Sequence, residues 1–203
     1  MFVFVSGAAR SGKSAWAEKR ALSLSRAENE NTPLVYLATA RVCDQEMRER
    51  VLRHQAARGN KGFETWERDV DVSKVLPRLV PTATLLLECL GTLLANEMFG
   101  RTEDKKTGAE DKGDARTERM ERIVEKIYGE ILSLKAKTAN LLVVSNDVFM
   151  DGAAYDEETE NYRRALGALH VKLARESHLA VECVCGYATI FKEEVPARGR
   201  IFR

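Results

Sequence analysis

The chain has 203 residues, 44% of them hydrophobic and 31% charged, which is enough for one globular domain with a buried core. The chain has 32 lysines and arginines and 31 aspartates and glutamates. This balance excludes a strong net positive charge that would attract nucleic acid or an anionic membrane. The four cysteines form no C-x-x-C pair, so a disulfide scaffold is excluded and reduced thiols in a cytoplasm are predicted. No apolar stretch is long and uninterrupted enough to predict a membrane span.

The first motif in chain order predicts a phosphate-binding loop. Gly7-Ala8-Ala9-Arg10-Ser11-Gly12-Lys13-Ser14 reads G-x-x-x-x-G-K-S, between a β-rich run at 2–6 and a helix-forming stretch. Strand, glycine loop and helix are the context that the motif requires, because backbone N–H groups and the helix N-terminus then surround an anion. We expect Lys13 to reach the β- and γ-phosphates, and to be exposed to solvent without ligand. We expect the Ser14 hydroxyl to hold Mg²⁺.

The remaining elements alternate between strands and helices, which predicts an α/β fold with a mostly parallel sheet flanked by helices in one domain, residues 1–203. Further strands are predicted at 34–38, 63–66, 84–88, 140–145 and 179–185. Helices are predicted at 15–26, 44–58, 90–98, 123–135 and 162–177, with a helical segment disturbed by Pro77 at 72–80. Residues 101–117 carry ten charges and two glycines, which predicts a mobile, charged loop.

The strand at 84–88 ends in a carboxylate. Leu85-Leu86-Leu87-Glu88 has the pattern of a Walker B strand, an apolar run that ends in an acid. Because the carboxyl ends of parallel strands line the ligand crevice, Glu88 is predicted to reach Mg²⁺ directly or through water. The alternative is a solvated acid at the end of a strand.

Two other groups of residues allow two interpretations each. Ser145-Asn146-Asp147 follows the strand at 140–145 and serves either as a ligand contact or as a turn and helix cap. His54 lies on the apolar side of the predicted helix 44–58, where a packed, hydrogen-bonded histidine is the usual alternative to a catalytic one. Three arginines of the same helix would supply counter-charge to a phosphate that approaches His54.

Taken together, these segments resemble the bifunctional adenosylcobinamide kinase / adenosylcobinamide-phosphate guanylyltransferases. The similar segments are the phosphate loop, Tyr36-Leu37-Ala38-Thr39-Ala40, Glu46-Met47-x-x-Arg50-Val51-x-x-His54, Leu86-Leu87-Glu88-Cys89-Leu90, Val144-Ser145-Asn146-Asp147-Val148, and Tyr162-Arg163 with Gly167. They cover nearly the whole chain in order and at compatible spacing. The phosphate loop occurs in many families, whereas the His54 segment and the Ser-Asn-Asp-Val segment are far more particular.

The resemblance implies a RecA-like P-loop fold, a homotrimer and two reactions of cobalamin biosynthesis. First, a nucleoside triphosphate, ATP or GTP, phosphorylates adenosylcobinamide with Lys13 at the phosphates. Then GTP guanylylates a histidine, here His54, and the GMP passes to adenosylcobinamide phosphate, a role that suits neutral imidazole. By resemblance, further nucleotide contacts fall on Ala38, Thr39, Ala40, Gln55, Ala56, Ala57, Arg58, Glu67 and Glu88.

The chain departs from the family on the side that the resemblance assigns to the acceptor. Residues 149–154 replace a glycine- and proline-containing turn, Asp147 stands in place of Glu, Gly91 in place of Thr, and His170 in place of Asn. We expect this turn to follow a different path, or Phe149 to pack over the acceptor, because Phe adopts positive φ less readily than Gly. Three functions therefore compete: the bifunctional enzyme, a small-molecule kinase with another acceptor, and a non-catalytic nucleotide-binding protein.

Overall fold

The computed structural model describes residues 1–28, 32–41, 61–100, 113–150 and 152–194. Its strands are β1 (Phe2–Gly7), β2 (Leu34–Ala38), β3 (Glu64–Glu67), β4 (Thr84–Glu88), β5 (Asn140–Val144), β6 (Leu179–Val184) and β7 (Tyr187–Glu193). They form one sheet in the order β3-β2-β4-β5-β1-β6-β7. All neighbouring strands are parallel except β7, which runs antiparallel to β6.

Helices cover both faces of the sheet. They are α1 (Lys13–Glu28), α2 (Leu90–Phe99), α3 (Gly113–Lys137) and α4 (Glu157–Glu176), with a 3₁₀ helix at Val72–Arg78. Alternate residues of β1 pack into two separate cores: Phe2 and Phe4 face α2, α3 and α4, whereas Val3 and Val5 face α1. Because both faces are buried, the central strands are continuous apolar runs. Within the described residues, none of the helices combines the length and apolar composition needed to cross a membrane.

The predicted fold class is confirmed, since the sheet is mostly parallel and flanked by helices. β5 lies between β1, which leads into the phosphate loop, and β4, which ends in Glu88. A strand inserted between these two is the RecA-like arrangement that the resemblance implies. The connections from β1 to α1 and from β4 to α2 both leave the carboxyl edge of the sheet, where ligands of open α/β sheets bind.

Two helices begin five or more residues earlier than predicted. α3 starts at Gly113, so the end of the predicted loop at 101–117 is helical, and residues 101–112 lie outside the described part of the chain. α4 starts at Glu157, after Asp156 accepts a hydrogen bond from Thr159 N at 2.8 Å as the N-cap. In both helices the first residues are mostly polar or small, so they lack the apolar periodicity on which the prediction depended.

The strand β7 was not predicted. β6 ends at Val184, and Cys185 and Gly186, with φ of 50° and 86°, form the two-residue turn into β7, as a tight hairpin requires. Nearly every side chain of β7 is exposed, so the strand shows no alternation of buried and exposed residues. The predicted helix at 44–58 lies outside the described residues.

A charged network holds α2 and α3 together beside the 3₁₀ helix. Lys126 Nζ donates to Glu97 Oε1 at 2.5 Å and to Asp71 Oδ1 at 2.6 Å. Hydrogen bonds from Lys126 and from Lys74 hold the pKa of Asp71 well below its usual range. Asp71 therefore stays charged, and the network holds the C-terminal half of α2 in place.

Candidate active site

The phosphate loop has the strand, turn and helix that its motif requires. A Cβ on Gly7 would lie 2.5 Å from the Cys183 carbonyl oxygen, and Gly12 has a φ of +93°, so neither position accepts a side chain without strain. Ser11 N donates to Ala8 O at 3.2 Å and closes the loop. α1 begins at Lys13, so the amides of its first turn are available to an anion.

Lys13 is buried, and the expectation that it would be exposed without ligand is wrong. Only 7% of its surface is accessible, because the loop wraps around the side chain and Nζ donates to Ala8 O at 3.1 Å. The hydroxyl of Ser11 is also buried and has no hydrogen-bond partner among the described residues. A buried donor without a partner inside a loop of this kind is a site that phosphate oxygens can satisfy.

Ser14 and Glu88, the two predicted metal ligands, are in direct contact. Ser14 Oγ donates to Glu88 Oε1, and the Tyr36 hydroxyl donates to Glu88 Oε2 at 3.0 Å. A serine hydroxyl and one carboxylate beside a phosphate loop fit Mg²⁺, which binds few protein ligands and completes its shell with phosphates and water. Within the described residues, no group of three or more His, Cys, Asp or Glu residues gathers.

Tyr36 is a supporting residue that the sequence reasoning did not assign. Ala38 pairs with Glu88 in the register of β2 and β4, and Tyr36 precedes Ala38 by two residues, so all three side chains point to the same face. Strand alternation could therefore have placed Tyr36 beside the acid. Its hydroxyl fixes one carboxylate oxygen and leaves the other directed at Ser14.

Thr39, just after β2, is hydrogen-bonded to the segment that begins α2. Thr39 is fully buried; its Oγ1 accepts from Cys89 N at 2.8 Å and donates to Cys89 O at 2.9 Å. The Thr39 carbonyl accepts from Asn96 Nδ2 at 2.8 Å. Thr39 therefore anchors the start of α2, and the nucleotide contact implied for it remains a prediction. The implied contacts of Ala38 and Ala40 remain predictions.

The implied nucleotide contacts fall into two groups across the sheet. Glu67, at the end of β3, is exposed and lies four strand spacings from β1, or about 19 Å. A phosphate in the loop after β1 therefore cannot also contact Glu67. Glu88 lies on β4, two strands from β3 and two from β1, and so between the two groups.

The segment Ser145-Asn146-Asp147 is tied to the phosphate loop and forms a turn. Asp147 N donates to Gly7 O at 2.9 Å, and Asp147 Oδ1 accepts from Phe149 N at 2.9 Å. Ser145 Oγ is buried, 2.7 Å from His170 Nε2. Burial lowers the pKa of His170 to about 4, although the charge of Asp147 acts in the opposite direction. Ser145 and Asp147 therefore have the structural role that the turn interpretation gave them. His170 is neutral near pH 7.

Phe149 is partly buried and packs toward α4, and its expected packing over an acceptor remains a prediction. Its ring meets His170 edge-on, with centroids 5.4 Å apart, and a Cβ on Gly167 would lie 3.6 Å from the ring. The Phe149 carbonyl accepts from Arg163 Nη2 at 3.2 Å. The aromatic side chain is thus part of the packing between the turn and α4.

α2 and α4 meet closely beside the acid strand. The Tyr162 hydroxyl donates to Gly91 O at 3.2 Å, and a Cβ on Gly91 would lie 2.8 Å from the hydroxyl oxygen. Burial raises the pKa of Tyr162 to about 12, so the hydroxyl keeps its proton as a donor. Sequence reasoning noted Gly91 and Tyr162 separately, but no local signal connects them.

The predicted nucleophile cannot be placed. His54 lies outside the described residues, together with Gln55, Ala56, Ala57 and Arg58. Their roles remain predictions.

The phosphate loop, the contact between Ser14 and Glu88, and the inserted strand β5 define a P-loop nucleotide-binding protein. The model of the cobinamide kinase / cobinamide phosphate guanyltransferase family, CobU, matches residues 3–190, and the chain belongs to this family. It is therefore a transferase of cobalamin biosynthesis, and the family resemblance read from the motifs is confirmed.

Two relatives are named bifunctional adenosylcobalamin biosynthesis protein CobU. The Escherichia coli (strain K12) protein is 28% identical over 176 residues, which cover 86% of this chain and 90% of the relative. The Salmonella typhimurium (strain LT2) protein is 28% identical over 177 residues, with the same coverage. Among solved structures, flagellar accessory protein FlaH from Methanocaldococcus jannaschii aligns with 95% of this chain and 78% of its own, at a TM-score of 0.38 and 11% identity. That likeness is too weak to carry an argument.

Proposed function

We propose that the chain phosphorylates adenosylcobinamide with a nucleoside triphosphate and then transfers GMP from GTP, through a guanylylated His54, to adenosylcobinamide phosphate. The observation that carries the proposal is the direct contact between Ser14 and Glu88 beside a complete phosphate loop, in a chain of this family. The family defines the two reactions, and the contact supports a working phosphoryl-transfer site.

In the first reaction, the loop amides and Lys13 bind the β- and γ-phosphates, and Ser14 and Glu88 hold Mg²⁺. Bound Mg²⁺ supplies positive charge to the phosphate oxygens. The acceptor hydroxyl oxygen attacks the γ-phosphorus, the bond from that phosphorus to the bridging oxygen breaks, and the nucleoside diphosphate and the hydroxyl proton are released. Tyr36 keeps the Glu88 carboxylate in position through its hydrogen bond to Oε2.

In the second reaction, an imidazole nitrogen of His54 attacks the α-phosphorus of GTP and pyrophosphate leaves. A phosphate oxygen of the acceptor then attacks the same phosphorus, and the phosphorus–nitrogen bond breaks to restore His54. The other two histidines have structural tasks: His170 Nε2 lies 2.7 Å from Ser145 Oγ, and His178 Nδ1 accepts from Phe2 N at 2.8 Å at the opposite edge of the sheet. These contacts support His54 as the nucleophile.

The decisive experiment is incubation with α-labelled GTP and Mg²⁺, followed by intact-mass analysis. Wild-type protein should gain one GMP in an adduct that is labile in acid and stable in alkali, as a phosphoramidate is. His54→Ala should gain none and still phosphorylate adenosylcobinamide, because phosphoryl transfer requires no protein nucleophile. His170→Asn is the matched control and should label normally.

Each other outcome selects a different function. Label that persists in His54→Ala would place the nucleophile elsewhere. Wild-type protein that phosphorylates adenosylcobinamide but never takes up label would be a kinase only. Phosphorylation of a different acceptor would support the small-molecule kinase, and nucleotide binding without turnover would support the non-catalytic protein.

We further infer that the chain forms a homotrimer. In support, β7 is an edge strand whose large apolar side chains are exposed, Tyr187 at 81% and Phe191 at 70%, and such a patch suits burial against another subunit. Light scattering after size exclusion should give three times the mass of one chain. Tyr187→Lys combined with Phe191→Lys should reduce it to one, and a monomeric wild type would contradict the inference. A cytoplasmic location remains the prediction made from the cysteines.

A further inference from the structure

Of the three polar side chains that follow β5, only those of Ser145 and Asp147 take part in the packing of the turn. Ser145 Oγ lies 2.7 Å from His170 Nε2, and Asp147 Oδ1 accepts from Phe149 N at 2.9 Å. The carboxamide of Asn146, by contrast, is half-buried and makes no hydrogen bond within the described part of the chain. Its two N–H donors and its oxygen acceptor are therefore available to a ligand.

The backbone pairing between β1 and β5 continues to the first residue of the phosphate loop. Ser145 N donates to Val5 O at 2.9 Å, and Asp147 N donates to Gly7 O at 2.9 Å. Donors two residues apart that bond to acceptors two residues apart are the pattern of a parallel ladder. Asn146 is thus extended and lies beside Gly7, at one strand spacing of about 4.8 Å.

Strand alternation places the Asn146 carboxamide on the α1 side of the sheet. Val144 belongs to the core beneath α1, whereas Ser145 contacts α4 on the opposite side. Because successive side chains of an extended segment point to opposite faces, Asn146 shares the face of Val144. The contact between Ser14 and Glu88 lies on this same face, since Ser14 belongs to α1.

Asn146 is also close to the acid of β4. Glu88 pairs with Val144, so Asn146 lies two residues further along the neighbouring strand, about 6.6 Å along it and 4.8 Å across, with the two Cα atoms about 8 Å apart. β4 ends at Glu88 and the chain then turns away into α2, so β4 does not continue beside Asn146. The carboxamide therefore borders a space that has the phosphate loop on one side and the Glu88 carboxylate on the other.

We propose that Asn146 Nδ2 donates a hydrogen bond to an oxygen of the γ-phosphoryl group. The inference rests on the proposed function, because this is the group that the first reaction transfers. The loop and Lys13 hold the β- and γ-phosphates, and Mg²⁺ bridges these two phosphates in P-loop enzymes. The space between the loop and Glu88 thus receives the γ end of the nucleotide. A neutral amide can donate to the charge of the transferred group without repelling it, as amide side chains do in other transition states.

The test compares two nucleotides that differ by the γ-phosphoryl group, GDP and the β,γ-imido analogue of GTP. Their dissociation constants are measured by calorimetry with Mg²⁺ for the wild type, Asn146→Ala and Asn146→Asp. Ser145→Ala is the matched control, because it removes a polar side chain from the same turn on the opposite face. Melting temperatures and the kcat of adenosylcobinamide phosphorylation are measured on each protein.

We expect Asn146→Ala to weaken binding of the imido analogue about tenfold and binding of GDP less than about twofold, because one hydrogen bond to a charged group is lost. Its kcat should fall while its melting temperature stays unchanged. Asn146→Asp should weaken the analogue further, since a carboxylate would face the phosphate. Ser145→Ala should lower the melting temperature, because His170 loses its partner, and should keep the ratio of the two dissociation constants.

Two results would overturn the inference and leave the proposed function intact. One is an unchanged preference for the imido analogue over GDP in both Asn146 variants of an active enzyme. The other is an equal loss of affinity for both nucleotides, which would mean an indirect effect on the loop. If Asn146→Ala melts at a much lower temperature, Asn146→Asp decides, because it keeps the shape of the side chain. A wild type that binds neither nucleotide would refute the proposed function, and the inference with it.

Discussion

The substitution Gly91→Ala adds one methyl group between α2 and α4. We expect it to destabilise the protein when residue 162 is Tyr and to stabilise it when residue 162 is Phe. In Gly91→Ala the new Cβ would lie 2.8 Å from the Tyr162 hydroxyl oxygen, and the next atom, Leu166 Cδ2, is 3.9 Å away. A contact of 2.8 Å forces the ring or the helix to move, and overpacking of this kind costs about 1–3 kcal/mol. Replacing glycine by alanine in a helix stabilises the helix by up to about 1 kcal/mol. We therefore expect a net loss of about 1–2 kcal/mol.

Removal of the hydroxyl should reverse that sign. Tyr162→Phe alone loses the hydrogen bond to Gly91 O, at a cost of about 0.5–1.5 kcal/mol. In the Phe background the added Cβ no longer meets an oxygen, so Gly91→Ala keeps its helix-propensity gain of up to about 1 kcal/mol. The two substitutions should therefore be coupled by about 2 kcal/mol, within the range seen for residues in contact.

Urea unfolding of the wild type, both single variants and the double variant measures this coupling directly. The dependence of the unfolding free energy on urea should stay the same in all four proteins, so that the midpoints report stability alone. Additivity to within about 0.5 kcal/mol, or a Gly91→Ala variant as stable as the wild type, would show that α2 yields to the methyl group and would refute the steric argument.

Three other predictions follow from the site. Lys13→Met, which keeps most of the side-chain volume, should weaken GTP binding at least tenfold by calorimetry, since a charged hydrogen bond contributes about 1.5–3 kcal/mol; unchanged affinity would contradict the role of Lys13. Tyr36→Phe should reduce kcat severalfold with little change in the melting temperature, and equal kcat would mean that Glu88 needs no support. Because burial lowers the pKa of His170 from 6.5 to about 4, the unfolded chain binds more protons between these pH values. Stability should fall by up to about 3 kcal/mol as the pH decreases through that window, and His170→Asn should flatten this part of the curve; an identical curve would exclude His170 as the cause.

The sequence was a good guide to the fold wherever burial leaves a pattern. β2 and β4 were predicted with the bounds that the structure has, because both faces of each strand are buried and the residues form uninterrupted apolar runs. β7 escaped prediction for the opposite reason, since both its faces are exposed. The early start of α4 was missed because its cap and first turn are polar, and such residues are equally common in loops.

The parts of the site that lie within one sequence segment were predictable, whereas the contacts between separate segments were not. The phosphate loop and the acid of β4 are local patterns, and the structure places Ser14 and Glu88 in contact, while their binding of one ion remains a prediction. The burial of Thr39 and the contact of Tyr162 with Gly91 depend on how α2 and α4 cross the sheet edge, which no local pattern records. Burial of Lys13 depends on the path of the loop backbone, which the motif alone does not specify.

Because β5 lies between β1 and β4, the strand register of the sheet fixes how far apart the two sides of the candidate ion site lie. Val5, Val144 and Glu88 are level across the three strands, so two strand spacings, about 9.6 Å, separate the backbone that leads to the loop from the backbone that carries the acid. Deleting one residue from β4 would move the carboxylate by about 3.3 Å and turn it to the other face. The contact between Ser14 and Glu88 is thus set by the strand register of the core, before any ligand binds.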